Sequence, residues 1–395
     1  MKRREFIVKS GLSAAVIAAG SSALWSMPNN LGANNTLNLG VIGTGSRGSG
    51  LIPVINNVSG INVAACCDVL PFRLEKGMLA AGEKAKAYDD YRRLLDNKDI
   101  DAVMVSTPFN THSKIAIDAL DAGKHVYCEK TMAKGFKGIQ ALVDKVEGSS
   151  KTFQTGHQYH SSRLYLEVVE MIQRGEIGKV ISFDCQWNRN GDWRRKMPDP
   201  SLERAINWRM YREYSGGLVA ELSSHQIDFI HWVLGENPIK IMGAGGVDYW
   251  KDGRETFDNI HLIYEYPNGV KANLRSLTSN AFEDYQIKVH GDKGTILLGY
   301  HDAWIYYEAG FEKVIGNVDG VSGATMNNYN NKGVSIDVNQ KPPTKQAFID
   351  FKTSITDNTL PISNVHTGAD TARTVQLSLD AMYTNEIKYW NKDQK

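Results

Sequence analysis

From Leu37 onward, short apolar runs alternate with stretches whose apolar residues recur at helical spacing. Leu37–Ile42, Ile61–Cys67, Ala102–Ser106 and His125–Cys128 are the apolar runs, each read as a strand. The segments between them predict helices: one after a glycine-rich turn to about Asn56, one over Lys76–Ala81, one over Ser113–Ala122 stopped by Gly123, and one over Gly138–Val146. Strands that are apolar on both faces, joined by helices, predict a parallel sheet covered on both sides. Beyond about Thr155 the pattern changes. A helix is predicted over Arg163–Gln173, and strands recur near 179–187, 239–247, 259–266, 270–279, 284–290 and 294–298. Turn signals such as Pro267-Asn268-Gly269 and Gly291-Asp292-Lys293-Gly294 join consecutive strands closely, which implies a largely antiparallel sheet. Helices near 344–356 and 366–388 close the chain. The expected organisation is an α/β domain over 36–155, then an α+β domain over 156–395 with a large, mostly antiparallel sheet. The final helices could pack back on the first domain.

A chain of 395 residues has room for two such domains. Its 45 basic and 44 acidic residues leave a net charge of +1, which offers no broad field for nucleic acid or an anionic membrane. Cys66, Cys67, Cys128 and Cys185 include no C-x-x-C pair, so buried small hydrophobes are expected rather than a metal site or a disulfide framework. The first 35 residues read differently from the rest. Lys2-Arg3-Arg4-Glu5-Phe6-Ile7 precedes a short apolar run and the small residues Ser21-Ser22-Ala23, a pattern of an export signal of twin-arginine type. An exported, periplasmic protein is therefore expected, with no membrane-spanning segment in the mature chain.

Gly43-Thr44-Gly45-Ser46-Arg47-Gly48 fits G-x-G-x-x-G between a strand and a helix. There the first glycine permits the tight turn and the second lets a pyrophosphate approach the backbone. The third lets helix and strand pack closely. Asp68 ends the second strand, where a carboxylate binds ribose hydroxyls and favours NAD; nearby Arg73 leaves NADP open. This is the signature of a Rossmann domain. Ser106-Thr107-Pro108 follows the next long strand, where the nicotinamide half should pass, and His112 either lines that site or caps the following helix.

Two further patterns carry chemistry. Glu129-Lys130 leaves the His125–Cys128 strand at its carboxyl end, facing the expected cofactor crevice, where a desolvated lysine exchanges protons near neutral pH. Glu221, His225, Asp228 and Trp232 recur at i, i+4, i+7 and i+11, one stripe of a helix beside an apolar face. Glu221, one turn from His225, could fix the imidazole as a base; the stripe could equally be a surface ion pair. Between these lies the stretch 188–215, with Trp193, Arg194, Arg195, Trp208 and Arg209. Such clustered rings and guanidinium groups form either a sugar platform or an interface or lid. His157 and His160 line the site or sit as satisfied core histidines, and none of the histidines is assigned as a metal ligand.

The order of the glycine-rich turn, Glu129-Lys130, Gly156-His157-Gln158 and Glu221-x-x-x-His225-x-x-Asp228 resembles the Gfo/Idh/MocA oxidoreductase family, from about Leu37 to Tyr389. The resemblance implies hydride transfer between a sugar or cyclic polyol carbon and NAD, in a cleft between the two domains. It implies Lys130 bonding the reacting hydroxyl, His225 as acid/base, and homo-oligomers (dimer or tetramer) built through the C-terminal sheet. His157, Asp228, Trp193 and Arg194 become candidate substrate contacts. Thr131 stands where the family usually has proline, and Glu221 where it often has aspartate. Some members are glycosidases that recycle bound NAD through a 3-keto intermediate. They lack the lysine of the Glu-Lys pair, so Lys130 favours a dehydrogenase, whereas export away from the cofactor pool favours recycling. A non-enzymatic NAD- or sugar-binding protein would leave the Glu221/His225/Asp228 stripe unexplained.

Overall fold

The computed structural model describes residues 36–311 and 333–394; the expected export signal lies outside them. Six parallel strands build the first sheet: β1 (Leu37–Ile42), β2 (Ile61–Cys67), β3 (Lys86–Tyr88), β4 (Ala102–Val105), β5 (His125–Cys128) and β6 (Phe153–Thr155). Their order is β3-β2-β1-β4-β5-β6. The direction of winding reverses between β1 and β4, so a crevice opens at the carboxyl ends of these two strands. Helices α1 (Ser46–Asn56), α2 (Pro71–Ala81), α3 (Tyr91–Asp96), α4 (His112–Asp121) and α5 (Phe136–Glu147) connect them. Every residue of β4 and β5 is buried, as a strand covered on both faces requires. In α5 the buried residues are Ile139, Leu142 and Val143, the i, i+3, i+4 stripe that its apolar spacing dictates. The edge strand β3 escapes sequence reading because it has three residues, two of them exposed.

After α6 (Arg163–Gln173), which is capped by the Ser162 hydroxyl accepting from Tyr165 N–H, the chain enters β7 (Val180–Asn190). Next come the short helix α7 (Glu203–Ile206) and α8 (Ser224–Leu234), then β8 (Lys240–Gly246), β9 (Asn259–Glu265), β10 (Lys271–Leu277), β11 (Ser279–Gly291), β12 (Gly294–Leu298) and β13 (Ala303–Tyr307). Beyond residue 333 follow β14 (Val334–Ser335), α9 (Pro343–Thr356), α10 (Val365–Thr384) and β15 (Lys388–Tyr389). The sheet order is β14-β13-β12-β11-β7-β10-β9-β8-β15, antiparallel throughout except for the β7–β10 pair. β9 and β10 alternate buried and exposed residues, so one face packs on the core and the other is open.

The closing helices return to the first domain. Val365, Ala369 and Ala372 of α10 join the core under the parallel sheet, and Phe348 of α9 stacks on Tyr127 of β5 at 4.5 Å. The four cysteines are buried and free. Among the described residues, no helix is long and apolar enough to cross a membrane.

Burial also stores a pH dependence. His125 and His157, 6% and 1% exposed, are lowered by desolvation to about 4. Between pH 6.5 and 4 the unfolded chain therefore binds protons that the folded chain refuses, so stability falls as pH falls through this window. Each histidine contributes up to about 3 kcal/mol of that loss by pH 4. Thermal melts are expected to show a falling Tm from pH 6.5 to 4; a flat Tm there would contradict it.

Candidate active site

The turn after β1 is shaped by what its glycines lack. Gly43 has φ = 91°, and a Cβ on it would stand 2.7 Å from the Ser106 carbonyl oxygen. A Cβ on Gly48 would overlap the Gly43 carbonyl oxygen, so α1 can approach β1 only with glycine there. At Gly45 the nearest atom to an added Cβ is Arg73 Nη1 at 3.9 Å, which leaves the turn open on the side a phosphate would use. Gly45 gives α1 no side-chain cap, and no acidic residue occupies its first turn, so its free N–H groups and positive dipole end suit an anion. Asp68 orders the turn from behind, accepting from Thr44 N–H at 2.8 Å and Leu70 N–H at 2.9 Å. Ser106 Oγ donates to the Gly43 carbonyl at 2.6 Å, tying the end of β4 to the glycine turn. These features fit a dinucleotide: an open backbone cradle, a free helix N-terminus and a carboxylate at the end of β2.

A cavity of about 240 Å³ adjoins this crevice. Arg47, Ser106, Thr107, His112, Glu129, Lys130, Glu221 and His225, brought from the start of α1, the ends of β4 and β5, the start of α4 and the segment 219–225, all line it. Sequence reading did not place Phe109, Gln158, Trp208 or Arg209, which complete the wall. The last two lie within the aromatic and arginine stretch already singled out, but a loop without periodicity gives no register.

Local backbone geometry explains how Lys130 is held. Residues Val219–Ser223, leading into α8, form a turn of π-helix rather than α-helix. Such a turn leaves carbonyls without their usual partners, and Lys130 Nζ takes two of them, donating to Glu221 O at 2.6 Å and Ala220 O at 3.3 Å. An ammonium has three hydrogens, so one remains for a ligand. Burial lowers the Lys130 pKa below its ordinary value, while Glu221 and Glu129 work against that. His225 is also buried, and desolvation followed by the charge of Lys130 holds it well below 6.5. It is neutral at neutral pH and can accept a proton. Its Nδ1 is buried without a hydrogen-bond partner, leaving Nε2 as the nitrogen for the cavity.

The expected partnership of Glu221 with His225 is corrected here. Glu221 accepts instead from Arg209 Nε at 2.7 Å, an ion pair reaching across from the 188–215 stretch. Burial alone would raise the Glu221 pKa, but Arg209 and Lys130 outweigh it and hold the carboxyl below its ordinary value. The orientation of His225 comes from packing: Tyr159 lies 5.1 Å, Trp187 5.6 Å and His157 5.6 Å from it, ring to ring. Glu129 likewise pairs with Arg47 at 2.7 Å.

Other expected contacts fall elsewhere. Asp228 faces away from the cavity, with His160 Nε2 at 2.8 Å, and lines a separate recess with His231 and Asp370. His157 lies behind His225, 3.9 Å from Asp228. Arg194 is engaged by Glu203 at 2.5 Å and Asp252 at 2.9 Å, and Trp193 packs against the core of its own domain. Neither side chain lines the cavity, because intradomain partners claim both. His112 opens α4 with Nδ1 2.9 Å from Thr131 O and Nε2 2.9 Å from Thr107 O, and its single neutral-state N–H can donate to one of these carbonyls. Thr107 Oγ1 accepts from Thr111, and Pro108 leads into the short 3₁₀ turn before α4. Among the described residues, no group of three metal-ligating side chains is found.

Comparison with known proteins matches both domains. Residues 37–157 fit the model of an oxidoreductase family with NAD-binding Rossmann fold, and residues 165–297 fit the GFO/IDH/MocA C-terminal domain. The chain is 29% identical over 205 residues to inositol 2-dehydrogenase of Salmonella typhimurium, covering 51% of this chain and 56% of that protein. It is 27% identical over 236 residues to a glycosyl hydrolase family 109 protein of Shewanella pealeana, covering 53% and 50%. The chain thus spans about half the length of these relatives. The structure of levoglucosan dehydrogenase in complex with NADH and levoglucosan superposes with a TM-score of 0.72 at 17% identity, covering 90% of this chain and 99% of that one, which establishes a common fold.

Proposed function

This chain belongs to the Gfo/Idh/MocA family of NAD-binding oxidoreductases, and from that premise we propose that it oxidises a hydroxyl-bearing carbon of a sugar, glycoside or cyclic polyol. The observation that carries the reading is Lys130, anchored by two π-turn carbonyls in the cavity it shares with neutral His225. NAD supplies the hydride acceptor when bound. Lys130 directs its remaining N–H to the substrate oxygen and stabilises the negative charge that develops there. His225 takes the hydroxyl proton. Glu221 and Arg209 neutralise each other, so the acid beside Lys130 does not draw its ammonium away from the substrate. Trp208 and Arg209 offer a ring and a guanidinium to the sugar.

A glycosidase that recycles its NAD is the second reading, favoured by the likeness to the family 109 protein. Absorbance at the NADH band separates the two while NAD and a panel including myo-inositol, levoglucosan and aryl glycosides are supplied. NADH accumulating far beyond one equivalent per chain supports the dehydrogenase. Glycoside cleavage with NADH limited to one equivalent supports recycling, and neither signal with any substrate would refute both.

A further inference from the structure

Behind His225 stands a line of titratable side chains that the proposed chemistry leaves unused. Helix α8 carries His225, Asp228 and His231 three residues apart, which makes them neighbours along its surface. The segment after β6 sets His157 and His160 against this row. His157 lies 5.6 Å from His225, ring to ring, and its Nδ1 is 3.9 Å from Asp228 Oδ1. Asp228 Oδ2 is 2.8 Å from His160 Nε2. His160, Asp228, His231, Trp232 and Asp370 then line a recess of about 200 Å³, whose wall reaches the surface at exposed Glu236. Three further contacts frame the row: Thr371 Oγ1 donates to Asp228 Oδ1 at 3.4 Å, Thr155 Oγ1 is 3.3 Å from His157 Nδ1, and Asp370 pairs with Arg373 at 3.3 Å. Nδ1 of His225, Nε2 of His157, Nδ1 of His160 and both ring nitrogens of His231 are buried without a hydrogen-bond partner. A purely structural network would use those atoms, because each one left unpaired costs desolvation energy.

We propose that this row is a proton relay, carrying the hydroxyl proton from His225 through His157, Asp228 and His160 to water in the recess. The inference rests on His225 being the base of the proposed oxidation. When the hydride leaves the carbinol carbon for NAD, the hydroxyl proton arrives on His225 Nε2 and the carbon becomes a carbonyl. One proton per turnover must then reach water. On the cavity side Glu129 and Glu221 are paired with Arg47 and Arg209, so protonating either carboxylate would break an ion pair. The rear is open to transfer. His225 gives up the proton on Nδ1, and one water or a turn of either ring closes the gap to His157. Burial keeps His225 and His157 neutral at rest, so each can take the proton in turn. Burial alone would raise Asp228, but His160 and His157 outweigh it and keep the carboxylate ionised, which draws the proton outward.

The test follows NADH absorbance and a pH indicator together by stopped flow, in weak buffer with NAD and whichever substrate the panel shows to be oxidised. Wild type, His160→Gln and Asp228→Asn are compared, with melting temperatures to confirm folding. In wild type the two signals should rise together. In each variant the first equivalent of NADH should form at a near wild-type rate, while the proton signal lags and kcat falls about a hundredfold, the lower end for a positioned proton-transfer group. Imidazole should restore kcat in His160→Gln and leave wild type unchanged, a response that a merely structural defect would not give. Signals in step at wild-type kcat in both variants would overturn the relay, as would a slowed His160→Gln that imidazole does not restore. A wild type that forms no NADH beyond one equivalent per chain with any substrate would instead bring down the proposed net oxidation itself.

Discussion

Lys130→Met is expected to lower kcat by about a hundredfold to ten-thousandfold, and His225→Ala by a similar factor, while NADH affinity changes less than twofold. The lysine is held at its Nζ by Glu221 and Ala220 carbonyls, so a methionine of similar length fills the space and removes only the charge and the donor. The histidine has no hydrogen bond at Nδ1 and no carboxylate orienting it, so its loss removes a base and leaves the neighbouring ion pairs intact. The pH dependence follows from the same geometry. Desolvation and the charge of Lys130 keep His225 deprotonated, so the acid limb of kcat/KM should lie well below pH 6.5. Desolvation also lowers Lys130, so the alkaline limb should lie below 10.5. Steady-state rates with whichever sugar or polyol the panel shows to be oxidised, alongside NADH titration, test both parts. Wild-type turnover in either variant would end this assignment of roles.

Gly48→Ala is expected to abolish NADH binding and destabilise the chain by about 1–3 kcal/mol, the range for forced overpacking. The added methyl group would overlap the Gly43 carbonyl, and Gly43 cannot retreat, because the Ser106 hydroxyl and the Asp68-held turn pin it. Gly45→Ala makes the instructive contrast. Its methyl group enters open space, so stability should be unchanged while NADH binding still weakens through obstruction of the phosphate side. Melting temperature and NADH titration on the two variants separate the effects. Equal stability losses would mean that the turn adapts as a whole and that close packing at Gly48 is not the constraint.

Much of this molecule is legible in its sequence. Continuous apolar runs announced β1, β2, β4 and β5, because a strand buried on both faces admits few polar residues. The glycine spacing announced the turn, since only residues without a Cβ satisfy Gly43 and Gly48. Lys130 stood out by its place at the carboxyl end of an apolar strand, and His225 by its place on a polar helical stripe. Short edge elements such as β3, β14 and β15 were silent because two or three residues carry no period.

The side-chain partnerships were another matter. Periodicity placed Glu221, His225 and Asp228 on one stripe of an ideal helix, but the π turn at Val219–Ser223 changes the spacing where the stripe begins. Glu221 turns to Arg209 from a loop, and Asp228 to His160 from the segment after β6. Trp193 and Arg194 had the composition of a sugar platform, yet Glu203 and Asp252 hold the arginine inside its own domain. The sequence by itself determined which segments become the longer strands and helices and where the glycine turn falls, because burial and backbone sterics act within a few neighbouring positions. Tertiary structure alone decided which carboxylate meets which cation, because those pairs form across loops whose path no local pattern encodes.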